Sequence, residues 1–291
     1  MSPDPSASNS PSLAVLQRHF TTYSDMTFFA TGGMGTVYKA VHTSLDRLVA
    51  IKLLTHPSAA DTGFRKSFEQ EAHIMTELNH AHLASIYDYG EVEGYLYIVM
   101  QFIDGRTLHQ AAHRKPVIPH ESALLVSKIS RALSAAHDLG IIHGDIKPAN
   151  IIIDPALNPV VVDFGLAHHL DDSSVEDKGV FGTPGYIAPE LLAPPYQANP
   201  RTDIFSLGVI LHELLTGKMP QKPYLPPSYF VEVDPRYDLI VMKALHPSPR
   251  HRYPNTTSFA SDLEKVLSGK ALSESSLLGA PADLHFSQYR S

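Results

Sequence analysis

The chain has 291 residues, a net charge of −7 and no cysteine. That length suffices for two lobes and a large core, while the negative charge argues against a nucleic-acid surface and the missing cysteines exclude disulfides and Cys-ligated metals. There is no apolar signal-peptide core at the amino terminus and no run of ~18 apolar residues, so the expectation is a soluble, cytoplasmic chain without a membrane span.

Residues 1–22 begin MSPDPSASNSPS and are expected to be disordered, because so few apolar groups cannot offset chain entropy. Leu13 to Phe20 has the pattern for a helical turn or more. From Phe28 to Lys39, apolar residues flank a Gly-rich turn, FFATGGMGTVYK, whose glycines let backbone N–H groups approach phosphate oxygens. Leu48 to Leu54 reads as a strand with Lys52 among apolar neighbours, a cation that needs an anionic partner. A helix is predicted over 64–79, with Phe64, Phe68, Ala72, Met75 and Leu78 in its stripe and Glu71 beside it. Strands follow at Leu83 to Tyr89 and Tyr95 to Phe102, joined at Gly94. A long helix spans Pro119 to Leu139, with Leu125, Ile129, Ala132, Leu133 and Ala136 inward and Gly140 as its cap.

The densest chemistry lies between His143 and Gly165, HGDIKPANIIIDPALNPVVVDFG. Two β-branched runs, Ile151 to Ile153 and Val160 to Val162, flank a turn rich in Asp, Pro and Asn, which predicts a hairpin. Such a hairpin brings Asp145, Asn150 and Asp163 to one end beside Lys147. Oxygen ligands of that kind suit a hard divalent cation carrying phosphates. The acidic stretch after Gly165 is expected to be mobile. Arg201 to Gly217 is apolar almost all round, as in a buried helix. Five prolines between 218 and 236 exclude a regular helix there. Closing helices are predicted at Tyr237 to Leu245 and Ser258 to Leu267, before a loose tail over 269–291. The seventeen histidines, including His168 and His169, show no metal-ligand spacing.

Taken together these motifs resemble the protein-kinase superfamily, and specifically the bacterial Hanks-type serine/threonine kinases, over residues 23 to 268. The loop H-G-D-I-K-P-A-N resembles the family's H-R-D-x-K-P-x-N and is followed by D-F-G. Val49 to Lys52 matches V-A-I-K, Ala30 to Val37 resembles the glycine-rich loop with Ala30 in place of its first glycine, and Gly182 to Glu190 resembles the peptide-binding segment ending in A-P-E. The resemblance implies an α+β, bilobal fold: a small β-rich lobe with one main helix (23–103) and a larger, mostly helical lobe (104–268).

It also implies roles. Lys52, paired with Glu71, orients the phosphates of ATP; Asn150 and Asp163 hold Mg²⁺, with Mn²⁺ as a substitute; Asp145 takes or positions the hydroxyl proton; Lys147 stabilises the transferred phosphoryl group; Thr183 hydrogen-bonds Asp145 and Lys147. The nucleotide site comprises Phe29, Ala30, Gly32, Gly33, Met34, Gly35, Val37, Ala50, Lys52, Met100, Gln101, Ile103, Asn150, Ile152 and Asp163. Met100 is the gatekeeper, and Gln101 to Ile103 present backbone groups to adenine. Asp104 either meets the ribose or a basic substrate residue, or is a plain turn residue. Glu190 pairs with a buried Arg, Arg252 before Arg250, and Asp203 fixes the catalytic-loop backbone.

The implied reaction is transfer of the ATP γ-phosphate to Ser or Thr of a protein, since a Lys two residues after the catalytic Asp argues against Tyr. The partners implied are ATP and protein substrates, with a dimer through the small lobe and no nucleic acid. Two other readings are a nucleotide-binding pseudokinase or scaffold and a small-molecule kinase of the aminoglycoside or choline type, whose loop also reads H-G-D. Lys147 and GTPGYIAPE argue against the latter. Gly144 replaces the Arg that pairs with a phosphorylated activation loop, so activity is expected not to need phosphorylation at Ser173, Ser174 or Thr183. The proline-rich stretch implies a lost or shortened helix G.

Overall fold

The computed structural model describes residues 11–32, 35–55, 62–164, 183–194 and 196–273. They fall into two compact units, one running to Asn79 and including Ala84–Ile103, the other comprising His80–Leu83 and the chain from Asp104 onward.

The first unit opens with helix α1 (Leu13–His19), followed by strands β1 (Tyr23–Gly32), β2 (Gly35–His42) and β3 (Arg47–Leu54), helix α2 (Thr62–Thr76), and strands β4 (Ile86–Val92) and β5 (Tyr95–Gln101). The strands form one antiparallel sheet in the order β1-β2-β3-β5-β4. Directly paired residues share a face of a pleated sheet, so the register sorts the side chains. Tyr38, Ile51 and Val99 form one rung on the first face. There Leu16 and Phe20 join Met26, Tyr38, Ile51, Val92 and Val99 in a single apolar core. Val37, Lys52, Ile98 and Tyr89 form a rung on the opposite face. Helix α2 packs on that face, where the Phe68 ring meets Tyr89 edge-on at 6.4 Å.

Within the segment expected to be disordered, Leu13–His19 forms the helical stretch that the pattern from Leu13 to Phe20 allowed, α1. Two well-spaced apolar anchors, Leu16 and Phe20, find a prepared apolar face and hold α1, although the composition of the whole segment is polar. The strand predicted from Leu83 starts instead at Ile86. Leu83 makes a parallel bridge to Val161 in the second unit, and the Val161 amide donates to the His82 carbonyl at 2.9 Å. Two neighbouring apolar stretches that read as one strand thus belong to different units.

The second unit contains β6 (Arg106–Thr107), α3 (Leu108–Ala112), α4 (Pro119–Asp138), β7 (Ile151–Ile153), β8 (Pro159–Val161), α5 (Pro200–Thr216), α6 (Arg236–Ala244) and α7 (Thr256–Leu267). Strands β6, β7 and β8 form a small antiparallel sheet, with β7 and β8 making the hairpin expected between Ile151 and Val162. Helix α5 is buried from Thr202 to Thr216, as its apolar circumference requires. It starts at a capping box, Asn199 with Thr202, and stops at Gly217 in the left-handed conformation. Helix α4 packs against α5 and α7. Of the stripe expected on it, Ile129, Ala132, Leu133 and Ala136 are buried and Leu125 is half-buried, while Ser122, Ala123, Val126 and Ser130 are buried as well and widen the inward face. Between Gly217 and Arg236 the described residues form a single 3₁₀ turn, Pro227–Tyr229, where the prolines forbid an α-helix.

Candidate active site

In the first unit, the residues expected to bind nucleotide fall largely on one face of the sheet. Ala30 pairs with Val37, Val37 with Lys52, and Ala50 with Met100. The register therefore places Ala30, Val37, Ala50, Lys52 and Met100 on the α2 side. Gly32 and Gly35 face each other across the β1–β2 hairpin; Gly33 and Met34, which join them, lie outside the described residues. The two paired glycines are not equivalent. A Cβ on Gly35 would sit 1.9 Å from the Leu53 carbonyl oxygen, whereas one on Gly32 would meet nothing within 4 Å. Gly35 is thus demanded by the close approach of β2 to β3, and Gly32 is not.

Lys52 on β3 and Glu71 on α2 are both buried, at 7% and 5% exposure. Burial pushes the Glu71 carboxyl up to about 8. Gln101 donates its amide to the Ser85 carbonyl at 2.8 Å, so a backbone contact from Gln101 to a base has to come from its carbonyl. Ile103 follows it at the end of the unit. Phe29 is exposed and stacks edge-on with Phe102 at 5.3 Å, and Lys39 Nζ lies 4.6 Å from the centre of the Phe102 ring. This aromatic and cationic cluster was not legible in the sequence, because it brings residues of β1 and β2 to Phe102, just past the end of β5, far along the chain.

In the second unit, four of the predicted residues meet directly. Lys147 Nζ donates to Asp145 Oδ2 at 2.6 Å and to Thr183 Oγ1 at 2.7 Å. The Thr183 hydroxyl donates to Asp145 Oδ1 at 3.3 Å. Asn150 Nδ2 donates to the Asp145 carbonyl at 2.9 Å and reaches Oδ2 at 3.3 Å. Asp145 is therefore held on both carboxylate oxygens and its own carbonyl. Asp163 comes to the same end of the hairpin, since the Val162 amide next to it donates to the Asn150 carbonyl at 2.9 Å. Its φ of 58° is a left-handed conformation, uncommon outside glycine and tolerated best by Asn and Asp. Ile152 lies on β7 opposite Val160.

The loop carrying Asp145 is fixed from below. Asp203 Oδ2 accepts the His143 amide at 3.0 Å, and Oδ1 accepts the Gly144 amide at 2.8 Å. His137 adds a third hydrogen bond to Oδ2 at 2.8 Å. Burial pushes the Asp203 carboxyl up, but the His137 hydrogen bond, the charges of His137 and His143 and the Gly144 amide outweigh it and hold it below the usual range. His143 is fully buried, and desolvation pushes its imidazole below the ordinary value, partly offset by Asp203. Its ring lies 4.9 Å from that of Phe164. Gly144 has a φ of 70°, so this position favours glycine for its backbone alone. His137, at the last turn of α4, carried no sequence signal beyond helical spacing.

Glu190 pairs with Arg252, not Arg250, through two parallel bonds of 2.7 Å. Thr202 Oγ1 adds a bond to Glu190 Oε1 at 3.1 Å, and the guanidinium also caps the His246, Pro247 and Arg201 carbonyls. An ion pair so buried is costly to break on one side, about 3–5 kcal/mol. Tyr186 of the GTPGYIAPE segment donates to Glu213 of α5, a contact that no motif or spacing announces.

The sequence matches the protein kinase domain over residues 23–269. The chain belongs to the protein kinase family. It is 34% identical over 276 residues to the probable serine/threonine-protein kinase SCO3848 of Streptomyces coelicolor, covering 86% of this chain and 41% of that protein. It is 36% identical to the serine/threonine-protein kinase PknB of Mycolicibacterium smegmatis, covering 82% and 42% respectively. PknL of Mycobacterium tuberculosis is 33% identical, with 90% of this chain and 69% of that protein covered. The chain thus spans about two fifths of the length of the first two relatives. Among solved structures, the M. tuberculosis PknI kinase domain superposes with a TM-score of 0.68 at 30% identity, covering 84% of this chain and 97% of that one. The protein-kinase fold expected from the sequence is the fold observed.

Family membership implies ATP and a divalent metal. The donors in this kinase fit a hard cation: the Asn150 Nδ2 is spent on Asp145, so its amide oxygen is the atom directed elsewhere, and Asp163 brings a carboxylate to the same hairpin end. Among the described residues no three His, Asp or Glu side chains cluster as a separate metal site, and no helix is long and apolar enough to cross a membrane. Ser173, Ser174, His168 and His169 lie outside the described residues.

Proposed function

We propose that this kinase transfers the γ-phosphate of ATP to serine or threonine hydroxyls of protein substrates. The observation that carries the reading is the Asp145–Lys147–Thr183–Asn150 constellation: an aspartate with each carboxylate oxygen held, beside a cation aimed at the same place.

In this mechanism Asp145 accepts the proton of the substrate hydroxyl as its oxygen attacks phosphorus, and the bond from phosphorus to the β–γ bridging oxygen breaks to release ADP. Lys147 offsets negative charge gathering on the transferred phosphoryl oxygens. Asn150 and Asp163 would hold Mg²⁺, or Mn²⁺ in its place, which when bound neutralises phosphate charge. Lys52 orients the α and β phosphates and Glu71 orients Lys52. The apolar face of Val37, Ala50 and Met100 receives the adenine, with the Gln101 carbonyl and the Ile103 amide as its backbone contacts. Most of the rate gain in such a site comes from positioning and electrostatics.

Gly144 supports a finer reading, a kinase active without phosphorylation of its activation loop, because it offers no guanidinium to a loop phosphate. A cytoplasmic location and a dimer through the first unit belong to the same proposal. The test is phosphorylation of a generic protein acceptor with Mg·ATP by the chain and by Asp145→Asn. The variant is expected to lose about 100-fold or more. Equal signals from the two proteins would overturn the assignment of Asp145.

A further inference from the structure

The β4–β5 turn of the first unit is gripped from both faces of the sheet. It is a two-residue hairpin, Glu93–Gly94, with both φ angles positive at 51° and 80°, the tight type I′ geometry that holds two strands in register. On the α2 face, Arg65 in the first turns of α2 spreads its guanidinium over the turn. One arm forms an ion pair with Glu91, and the other donates to the Gly94 carbonyl at 2.7 Å. On the opposite face, His19 at the end of α1 pairs with Glu93 at 2.8 Å. Behind it Phe20 packs edge-on against Tyr97 of β5 at 4.8 Å, and Leu16 shares the core with Val92 of β4. Nucleotide-site residues make none of these contacts.

Helix α2 carries Glu71 six residues beyond Arg65, less than two turns along the same rigid rod. A planar guanidinium with two fixed acceptors sets both the height and the rotation of that end of the helix, which a single point charge cannot do. Resting on the kinase reading above, we propose that Arg65 is a positioning residue: it clamps α2 to the β4–β5 turn and so sets where Glu71 stands relative to Lys52, with α1 bracing the turn from the other face. The segment before the sheet is then part of the machinery that orders the helix. The Arg65–Glu91 pair is partly solvated, so its share of global stability is small. Its effect is on geometry.

The experiment uses the whole chain and compares Arg65→Ala, Arg65→Lys, Glu91→Gln and His19→Ala with the parent. Three quantities are read: kcat and the KM for ATP with a casein acceptor, hydrogen exchange of peptides from α2, and the melting temperature. Arg65→Ala is expected to lower kcat/KM about 10-fold, to speed exchange selectively in α2, and to move the melting temperature by no more than about 4 °C. Arg65→Lys, which keeps the charge and loses the fork, recovers part of the activity. Glu91→Gln and His19→Ala shift the same α2 peptides by less. Unchanged α2 exchange in Arg65→Ala, or a loss spread evenly over all peptides and matched by a drop in melting temperature, overturns the clamp. If the parent itself transfers no phosphate, the kinase reading fails, and α2 exchange alone then decides the clamp.

Discussion

Asp203 accepts the backbone amide of Gly144 at 2.8 Å while holding the neighbouring amide of His143 with its other oxygen. A buried carboxylate on helix α5 thereby dictates the path of the loop that carries Asp145. Replacing Asp203 with Ala strands two buried amides and the ring of His137. Expected is a loss of about 3–5 kcal/mol in unfolding free energy, with phosphotransfer falling further than Asp203→Asn, which keeps one acceptor. Urea unfolding and initial rates measure both.

Gly144 answers to two demands, a backbone φ of 70° and the absence of a guanidinium. Gly144→Ala keeps the second property and violates the first, and is expected to cost about 1–2 kcal/mol with no change in the response to phosphatase. The parent protein treated with phosphatase is expected to keep its activity. Activity abolished by phosphatase and restored by rephosphorylating the loop would show that the finer reading is wrong.

Gly35 and Gly32 separate structural from local requirements within one hairpin. Gly35→Ala drives a methyl group into the Leu53 carbonyl and is expected to destabilise the first unit by about 1–3 kcal/mol or more. Gly32→Ala meets open space and is expected to leave the melting temperature unchanged. Thermal unfolding of the two variants side by side is the check, and equal effects would contradict the β2–β3 approach described above.

Glu71 makes stability depend on pH in a definite direction. Its carboxyl ordinarily titrates near 4.5 and in the fold near 8, because burial disfavours the anion. Between those values the folded chain binds the extra proton, so stability falls as pH rises from about 4.5 to about 8 and levels off beyond. Glu71→Gln is expected to flatten this contribution. Denaturant unfolding from pH 4.5 to 8.5 reads the difference in slope.

Much of the kinase was legible because its chemistry is local. Asp145, Lys147 and Asn150 sit within one short loop, and the β7–β8 hairpin that returns the chain to Asp163 is written in β-branched runs and turn residues. Helix α5 announced its burial by being apolar on all sides, and Arg252 was singled out as the partner of Glu190 by its place in a known pattern. The stripe on α4 was legible at Ile129, Ala132, Leu133 and Ala136, but not where Ala123 and Ser130 widen the inward face. Size guides a hydrophobicity reading, whereas close packing of α4 on α5 and α7 favours the small.

What the sequence alone determined about this protein is therefore its class and its charged set, because glycine turns, strand periodicity and the loop motifs act over a few residues. Tertiary structure decided the rest. It pulled Leu83 out of its apparent strand, seated α1 on a face that composition hides, and gave Asp203 a third partner in His137. It also set Arg65 and His19 on opposite sides of one turn. Each of these is a meeting of residues remote in the chain, fixed by how strands register and helices pack, and such meetings leave no periodic trace in the order of the amino acids.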